Sequence, residues 1–125
     1  RAVVDRSLLL FEAEFKRNYI HISDVARAFL HAIDLFDSMS GEIYNVGLSD
    51  ANLSKRELCE LIRRQIPDFV FIEAPVGKDP DQRNYIVSNA KIEATGFRPA
   101  TSLEAGVREL IKGYEMIRNT VYGNV

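Results

Sequence analysis

The stretch KRNYIHISDVARAFLHAI, residues 16–33, changes character part-way along. Its first part is aromatic and β-branched, and residues 19–22, YIHI, alternate as a strand does. Beyond them Val25, Phe29, Ala32, Ile33 and Phe36 recur at i, i+4, i+7, i+8 and i+11, a single apolar stripe along a helix. Ser23 or Asp24 is placed to cap that helix. No glycine or proline separates the two periods, so a strand is predicted to run straight into a helix. Arg17, Tyr19 and His21 stand together just upstream, three polar-tipped side chains beside an ordinary amphipathic helix.

The same alternation continues outward. Before this stretch, residues 7–11 (SLLLF) form a short apolar run that reads as a buried strand, and residues 12–17 a polar connection. After it, Gly41 closes a linker and residues 42–47 (EIYNVG) read as a second buried strand. Ser54 with Glu57 has the spacing of a capping box and opens a helix on Leu58, Leu61 and Ile62, stopped by Pro67. Residues 69–75 (FVFIEAP) read as a third strand, and residues 76–84 as a turn-rich polar loop. A short helix over 88–95 is stopped by Gly96, and Thr101 with Glu104 opens a last helix on Leu103, Val107, Leu110, Ile111 and Tyr114. Residues 119–125 carry no pattern and are expected to fray. Alternating helices and strands predict an α/β fold, and residues 1–125 one domain.

Bulk properties narrow the function classes. A chain of 125 residues buries roughly two thirds of the surface its unfolded form exposes. The composition, 46% hydrophobic and 27% charged, is that of an ordinary globular protein. A net charge of −2 gives no support for a nucleic-acid-binding surface, and no apolar run approaches a membrane span. Cys59 stands alone, which excludes an internal disulfide and suits a reducing, cytoplasmic setting. The chain opens on RAVVDRSLLLF, without methionine or a polar lead-in, and is expected to be a piece of a longer protein.

Several constellations are missing. All seven glycines are isolated, so no G-x-G-x-x-G loop is present to cradle a pyrophosphate. None of the five tyrosines is followed four residues later by lysine, and there is no G-x-S-x-G elbow. His21 and His31 lack metal-ligand companions at useful spacing. These residues alone make no complete catalytic centre.

RNYIHISDVARAF resembles the R-D-Y-(I/V)-H-V-x-D-(V/L)-A-x-A signature of the extended short-chain dehydrogenases, the NAD(P)-dependent nucleotide-sugar epimerases and dehydratases. GEIYNVG is similar to that family's G-x-x-Y-N-(I/V/L)-G segment, and LSKRELCELI to its S-x-x-E-L helix. DQRNYIVSNAKIEATGFRPATSLEAGVREL resembles its closing D-x-R…K…G-(W/F)-x-P…(S/T)-(L/F)-x-x-G segment. The four pieces follow in the family's order over most of the chain.

The resemblance implies the C-terminal, substrate-binding portion of such an enzyme, which grips the nucleoside diphosphate of a sugar substrate. It implies that NAD or NADP, the glycine loop and the Tyr-x-x-x-Lys pair belong to an N-terminal Rossmann domain, the partner of this portion. Such enzymes are usually homodimers, and surface-polysaccharide precursors are a favoured substrate class. The fragment itself is expected to be inactive.

Residue by residue, Leu9 and Phe11 match the segment whose backbone contacts the base; the alternative is two core residues of a strand. Arg17 matches the arginine on the diphosphate, where a guanidinium offers fixed paired donors. The residue after it is Asn18, where the family usually has aspartate. Tyr19 either adds a hydroxyl donor or packs. His21 matches a structural histidine close to the aspartate that Asp24 matches, and His31 is read as incidental. In the later loop Lys78 stands where arginine is common, Asp81 faces the ribose, Arg83 matches a second diphosphate arginine and Tyr85 follows it. A solvated charge cluster is the plainer reading of that loop. Two rival functions remain: a non-catalytic nucleotide- or partner-binding module of the same fold, and a family member acting on a non-nucleotide substrate.

Overall fold

The computed structural model describes residues 1–77 and 83–117. In chain order they form β1 (Ser7–Leu10), β2 (Lys16–Asn18), α1 (Ile22–Asp34), α2 (Phe36–Met39), β3 (Asn52–Ser54), α3 (Lys55–Gln65), β4 (Val70–Glu73), α4 (Ala90–Ala94) and α5 (Leu103–Ile117). Strands β1 and β4 pair in parallel, Leu8 opposite Phe71 and Leu9 opposite Ile72. Strands β2 and β3 pair antiparallel, with Arg17 opposite Leu53. The α/β class is as expected; the residues 119–125 read as a frayed tail lie outside the described residues.

Two hydrophobic clusters hold the elements. One gathers Val3, Leu10, Ala13, Cys59, Ile66 and Phe69 between the β1–β4 pair and α3. The other gathers Ala28, Met39, Ile92 and Phe97 under α1 and α4. The Ser54–Glu57 capping box is formed in both directions: Ser54 Oγ accepts from Glu57 N at 3.1 Å, and Glu57 accepts from Ser54 N at 2.7 Å. Gly96 takes φ +94°, a left-handed turn that ends α4 as expected.

Other expectations shift. The strand read at residues 19–22 lies three residues earlier, at β2, within what was read as a connection. Tyr19 still bonds through its backbone, N–H to Ala51 O and C=O from Leu48 N–H, but these partners belong to a turn, so the ladder ends. Residues 42–47 are no strand either. Tyr44 and Val46 pack on the second cluster while Ile43 is 86% exposed, so the alternation is real but has no ladder partner among the described residues. In β1 only Leu10 is buried, and Leu9 faces outward. Helix α1 is capped by His21 and not by Ser23 or Asp24. The last helix begins at Leu103, where Ser102 Oγ, not Thr101, accepts from Ala105 N–H.

The apolar stripe of α1 behaves unexpectedly. Phe29, Leu30 and Ile33, with Phe36 at the start of α2, are each more than 60% exposed, and small Ala28 faces the core instead. The periodicity is that of a helix with two apolar sides, of which the described residues cover the smaller one.

Helix α1 is joined to the segment before α5 by Asp24. Its carboxylate is fully buried and accepts from the backbone N–H groups of Ala100 and Thr101, both at 2.9 Å, and from Arg27 Nη1 at 2.7 Å. Burial by itself pushes the carboxyl pKa up; these three donors and the Thr101 hydroxyl outweigh that and hold it below the usual range. The stabilisation is therefore complete above the unfolded value, near 4, and is lost as pH falls through the lower folded value.

Two outcomes follow for the folded chain. Asp24→Asn places an amide against two backbone donors and should cost about 2–4 kcal/mol in urea unfolding, with a shallower loss of stability on acidification below about pH 4. Gly47→Ala should also destabilise, by about 1–3 kcal/mol. A Cβ at Gly47 would fall 1.6 Å from Asn18 Oδ1 and 2.9 Å from Asn89 Oδ1, and Asn89 is itself buried.

Candidate functional site

The polar side chains before α1 are presented by the β2–β3 ladder and a third stretch, residues 83–88, laid beside it. Lys16 N–H donates to Asn84 Oδ1 at 2.9 Å, and Tyr85 N–H donates to Lys16 O at 3.4 Å. Farther along, the Asn52 side chain grips Val87 from both sides, accepting its N–H at 2.9 Å and donating to its C=O at 3.0 Å. Side-chain amides thus do what a ladder would, and the 83–88 stretch lies beside β2 and β3 without being a regular strand.

This arrangement puts Tyr85 over Arg17. The guanidinium carbon lies 5.4 Å from the ring centre, a cation–π contact on a half-buried arginine, while Nη1 donates to Lys16 O at 2.8 Å. The planar, always-charged group is held with a defined orientation, which suits paired hydrogen bonding to phosphate oxygens. Tyr19 follows two residues later. Burial pushes its phenol above the ordinary tyrosine value, and the Arg17 charge pulls the other way.

Behind Tyr19 opens a cavity of about 770 Å³. Ile20 and His21, Leu58 and Ile62 of α3, and Leu110 and Tyr114 of α5 line it. Its walls are chiefly apolar, with the ring of His21 and the carboxylate of Glu109 paired at 3.3 Å on its lining.

Leu9 and Phe11 sit apart from this group. Leu9 projects from β1 beside Val70 and Ile72 of β4, all three more than half exposed. Phe11 lies just after β1, its carbonyl bonded by Lys55 Nζ at 2.9 Å and its ring against Gly77, where a Cβ would come within 2.6 Å. Lys78 and Asp81 lie outside the described residues. Arg83 is exposed, two residues before Tyr85. His31 bonds Thr95 Oγ1 at 2.8 Å and packs against the Phe97 ring, tilted at 55° with centroids 5.5 Å apart, a packing role. The structure therefore brings Arg17, Tyr19 and Tyr85 together. Sequence reasoning missed Asn52 and Asn84, which position Tyr85; asparagines in polar loops carry no periodic signal that marks them.

Residues 2–47 match the sequence model of the NAD dependent epimerase/dehydratase family. The UDP-glucose 4-epimerase of Thermotoga maritima, solved with UDP-glucose, superposes with a TM-score of 0.75 at 22% identity, over 94% of this chain and 38% of that one. The UDP-glucose 4-epimerase of Thermus thermophilus, solved with NAD, gives a TM-score of 0.67 at 24% identity, over 92% and 36%. The fold is that of the NAD-dependent epimerases and dehydratases. An uncharacterized protein of Schizosaccharomyces pombe is 29% identical over 133 residues, 88% of this chain and 35% of that relative. The chain thus spans a little over a third of the length of the epimerase/dehydratase-fold proteins it matches.

The influence of the Arg17 charge on Tyr19 is measurable. Arg17→Ala removes the charge that opposes the effect of burial, so the Tyr19 phenol should ionise at a higher pH than in the parent protein, read by pH-dependent NMR of selectively labelled tyrosine.

Proposed function

We propose that residues 1–125 are the substrate-binding domain of a longer NAD(P)-dependent epimerase or dehydratase, and that they hold the nucleoside diphosphate of a nucleotide sugar. The observation that carries this reading is Arg17, held against Tyr85 in the middle of the β2–β3 ladder, inside the stretch that matches the family model. Its guanidinium takes the diphosphate, Tyr19 adds a phenol beside it, and Arg83 approaches from the following stretch. Leu9 and Phe11, on the β1 side, meet the base, with Lys78 and Asp81 reaching the phosphate and ribose. Binding energy from these remote groups orients the sugar without joining the chemistry.

These residues do not fit a dinucleotide. Gly41, Gly77 and Gly96 each make a lone left-handed turn, and no run of glycines lets a backbone close on a pyrophosphate. NAD or NADP is assigned to an N-terminal Rossmann domain of the same protein, which supplies hydride chemistry. The exposed stripe of Phe29, Leu30, Ile33 and Phe36 on α1 and α2 is the surface that meets this domain. Surface-polysaccharide precursors are the favoured substrates, a homodimer the favoured assembly and the cytoplasm the favoured compartment; no described helix is long and apolar enough to cross a membrane.

Calorimetry of the full-length protein with UDP, GDP, CDP and dTDP tests this reading. One nucleotide should bind, and Arg17→Ala and Arg83→Ala should each weaken it by about 1.5–3 kcal/mol. Undiminished binding in the Arg17→Ala protein removes the diphosphate site, and no binding at all favours a non-nucleotide substrate.

A further inference from the structure

Residues 1–5 close as the last turn of a helix does. The Arg1 carbonyl accepts from the N–H of Asp5 at 2.8 Å and from the N–H of Arg6 at 3.1 Å, and the side chains of Arg1 and Asp5 pair one turn apart. Arg6 then takes φ +55°, the left-handed step that stops a helix, and β1 begins at Ser7. A single turn gains little by itself, because the first turn of a helix is the costly one to form.

The strand pairing fixes the direction from which that turn arrives. Strands β1 and β4 are parallel, and each is entered from a helical segment: β1 from residues 1–5 through Arg6, β4 from α3 through residues 66–69. Val3 of the turn meets Cys59 of α3 and Ile66 at its end in one buried cluster. The turn and α3 therefore lie on the same face of the strand pair and run the same way. Chain ahead of Arg1 passes beside the earlier turns of α3.

Those turns border the 770 Å³ cavity. Ile62 packs on the cluster that holds Val3 and also lines the cavity, and Leu58, one turn earlier, lines it too. Helix α5 forms the facing wall with Val107, Leu110 and Tyr114; Leu110 is 62% exposed and Tyr114 47%. A Cβ at Gly113, on the same wall, would meet no atom within 4 Å. Two helices that present apolar rows at helical spacing to one groove suit a third helix laid between them.

We propose that, in the longer protein proposed above, about two to three turns immediately before Arg1 continue residues 1–5 as a helix that fills the cavity between α3 and α5, which rests on this chain being part of that protein. Both epimerases described above carry more than half of their length outside the matched part, so chain of that kind has a precedent in the fold. About ten residues of helix span about 15 Å, enough to pass Ile62 and Leu58. The inward face is apolar, with side chains roughly three to four and seven residues before Val3 completing the stripe that Val3 begins. The cavity is thereby core and not a ligand pocket, and substrate contacts stay on the Arg17 side of Tyr19.

The test places cysteines on α5 of the full-length protein and follows labelling by a thiol reagent, read at each modified peptide by mass spectrometry. Leu110→Cys, on the cavity wall, should react roughly tenfold or more slowly than Lys112→Cys, exposed on the same helix and outside the cavity lining, and unfolding should make the two rates equal. Aspartate in place of the apolar residue about seven positions before Val3 should then open Leu110→Cys to the reagent. Equal rates in the native protein overturn the proposal. So does protection that fades on dilution, which assigns the groove to a second copy, and protection untouched by the upstream aspartate, which assigns it to another part of the chain. Should the aspartate variant not fold, the upstream sequence decides: a proline within about two turns of Arg1, or no apolar residues at helical spacing, overturns the helix. An intact mass with Arg1 at the mature N-terminus removes the longer-protein reading and the helix with it, whereas fast labelling of Leu110→Cys in a longer protein removes the helix alone.

Discussion

A carboxylate taken fully out of water holds this chain together. Asp24 sits in the first turn of α1, and its acceptors are filled by two consecutive backbone N–H groups, Ala100 and Thr101, and by Arg27. An unpaired charge at that depth would be strongly destabilising; the donors of Ala100 and Thr101 convert it into a joint between segments more than seventy residues apart in sequence. The joint sets where α1 starts and where the chain turns toward α5.

The second constraint is narrower. Strand β2 has only three residues and β3 three, too few to make a stable sheet by themselves. Asn84 and Asn52 extend the pairing through their side chains, Asn84 by accepting from Lys16 N–H of β2 and Asn52 by binding Val87 of the 83–88 stretch, and Gly47 lets Asn18 and Asn89 approach its backbone. Arg17 and Tyr85 therefore meet on a small platform whose geometry depends on amide side chains. Replacing one of these asparagines would loosen Tyr85 over Arg17 without touching either hydrophobic cluster.

What the sequence shows and what it hides divide along the same line. The Ser54–Glu57 box, the stop at Gly96, the helical period of α1 and the α/β alternation are local signals, and local physics realised each of them. The ladder at residues 16–18 was hidden because its partner lies more than thirty residues away and its side chains are all half-buried, so no alternation marks it. The cap at His21 was hidden because imidazole is an unusual cap, chosen here by contacts with Ser23 and Glu109. The outward face of α1 was misread for a different reason. A stripe of Phe29, Ile33 and Phe36 announces burial, and the described residues do not supply what buries it. Of the candidate site, Arg17, Tyr19 and Tyr85 were legible through the resemblance; their mutual contact was not, since it is made by backbone and amide bonds across the chain.

The most direct measurement is a crystal structure of the full-length protein with a dinucleotide cofactor and the nucleoside diphosphate that binds it. The account predicts diphosphate oxygens within hydrogen-bond reach of the Arg17 guanidinium, with Tyr85 still stacked on it and the Phe29–Ile33 face of α1 covered by the rest of the chain. A diphosphate bound elsewhere, with Arg17 making only contacts within the protein, would contradict it.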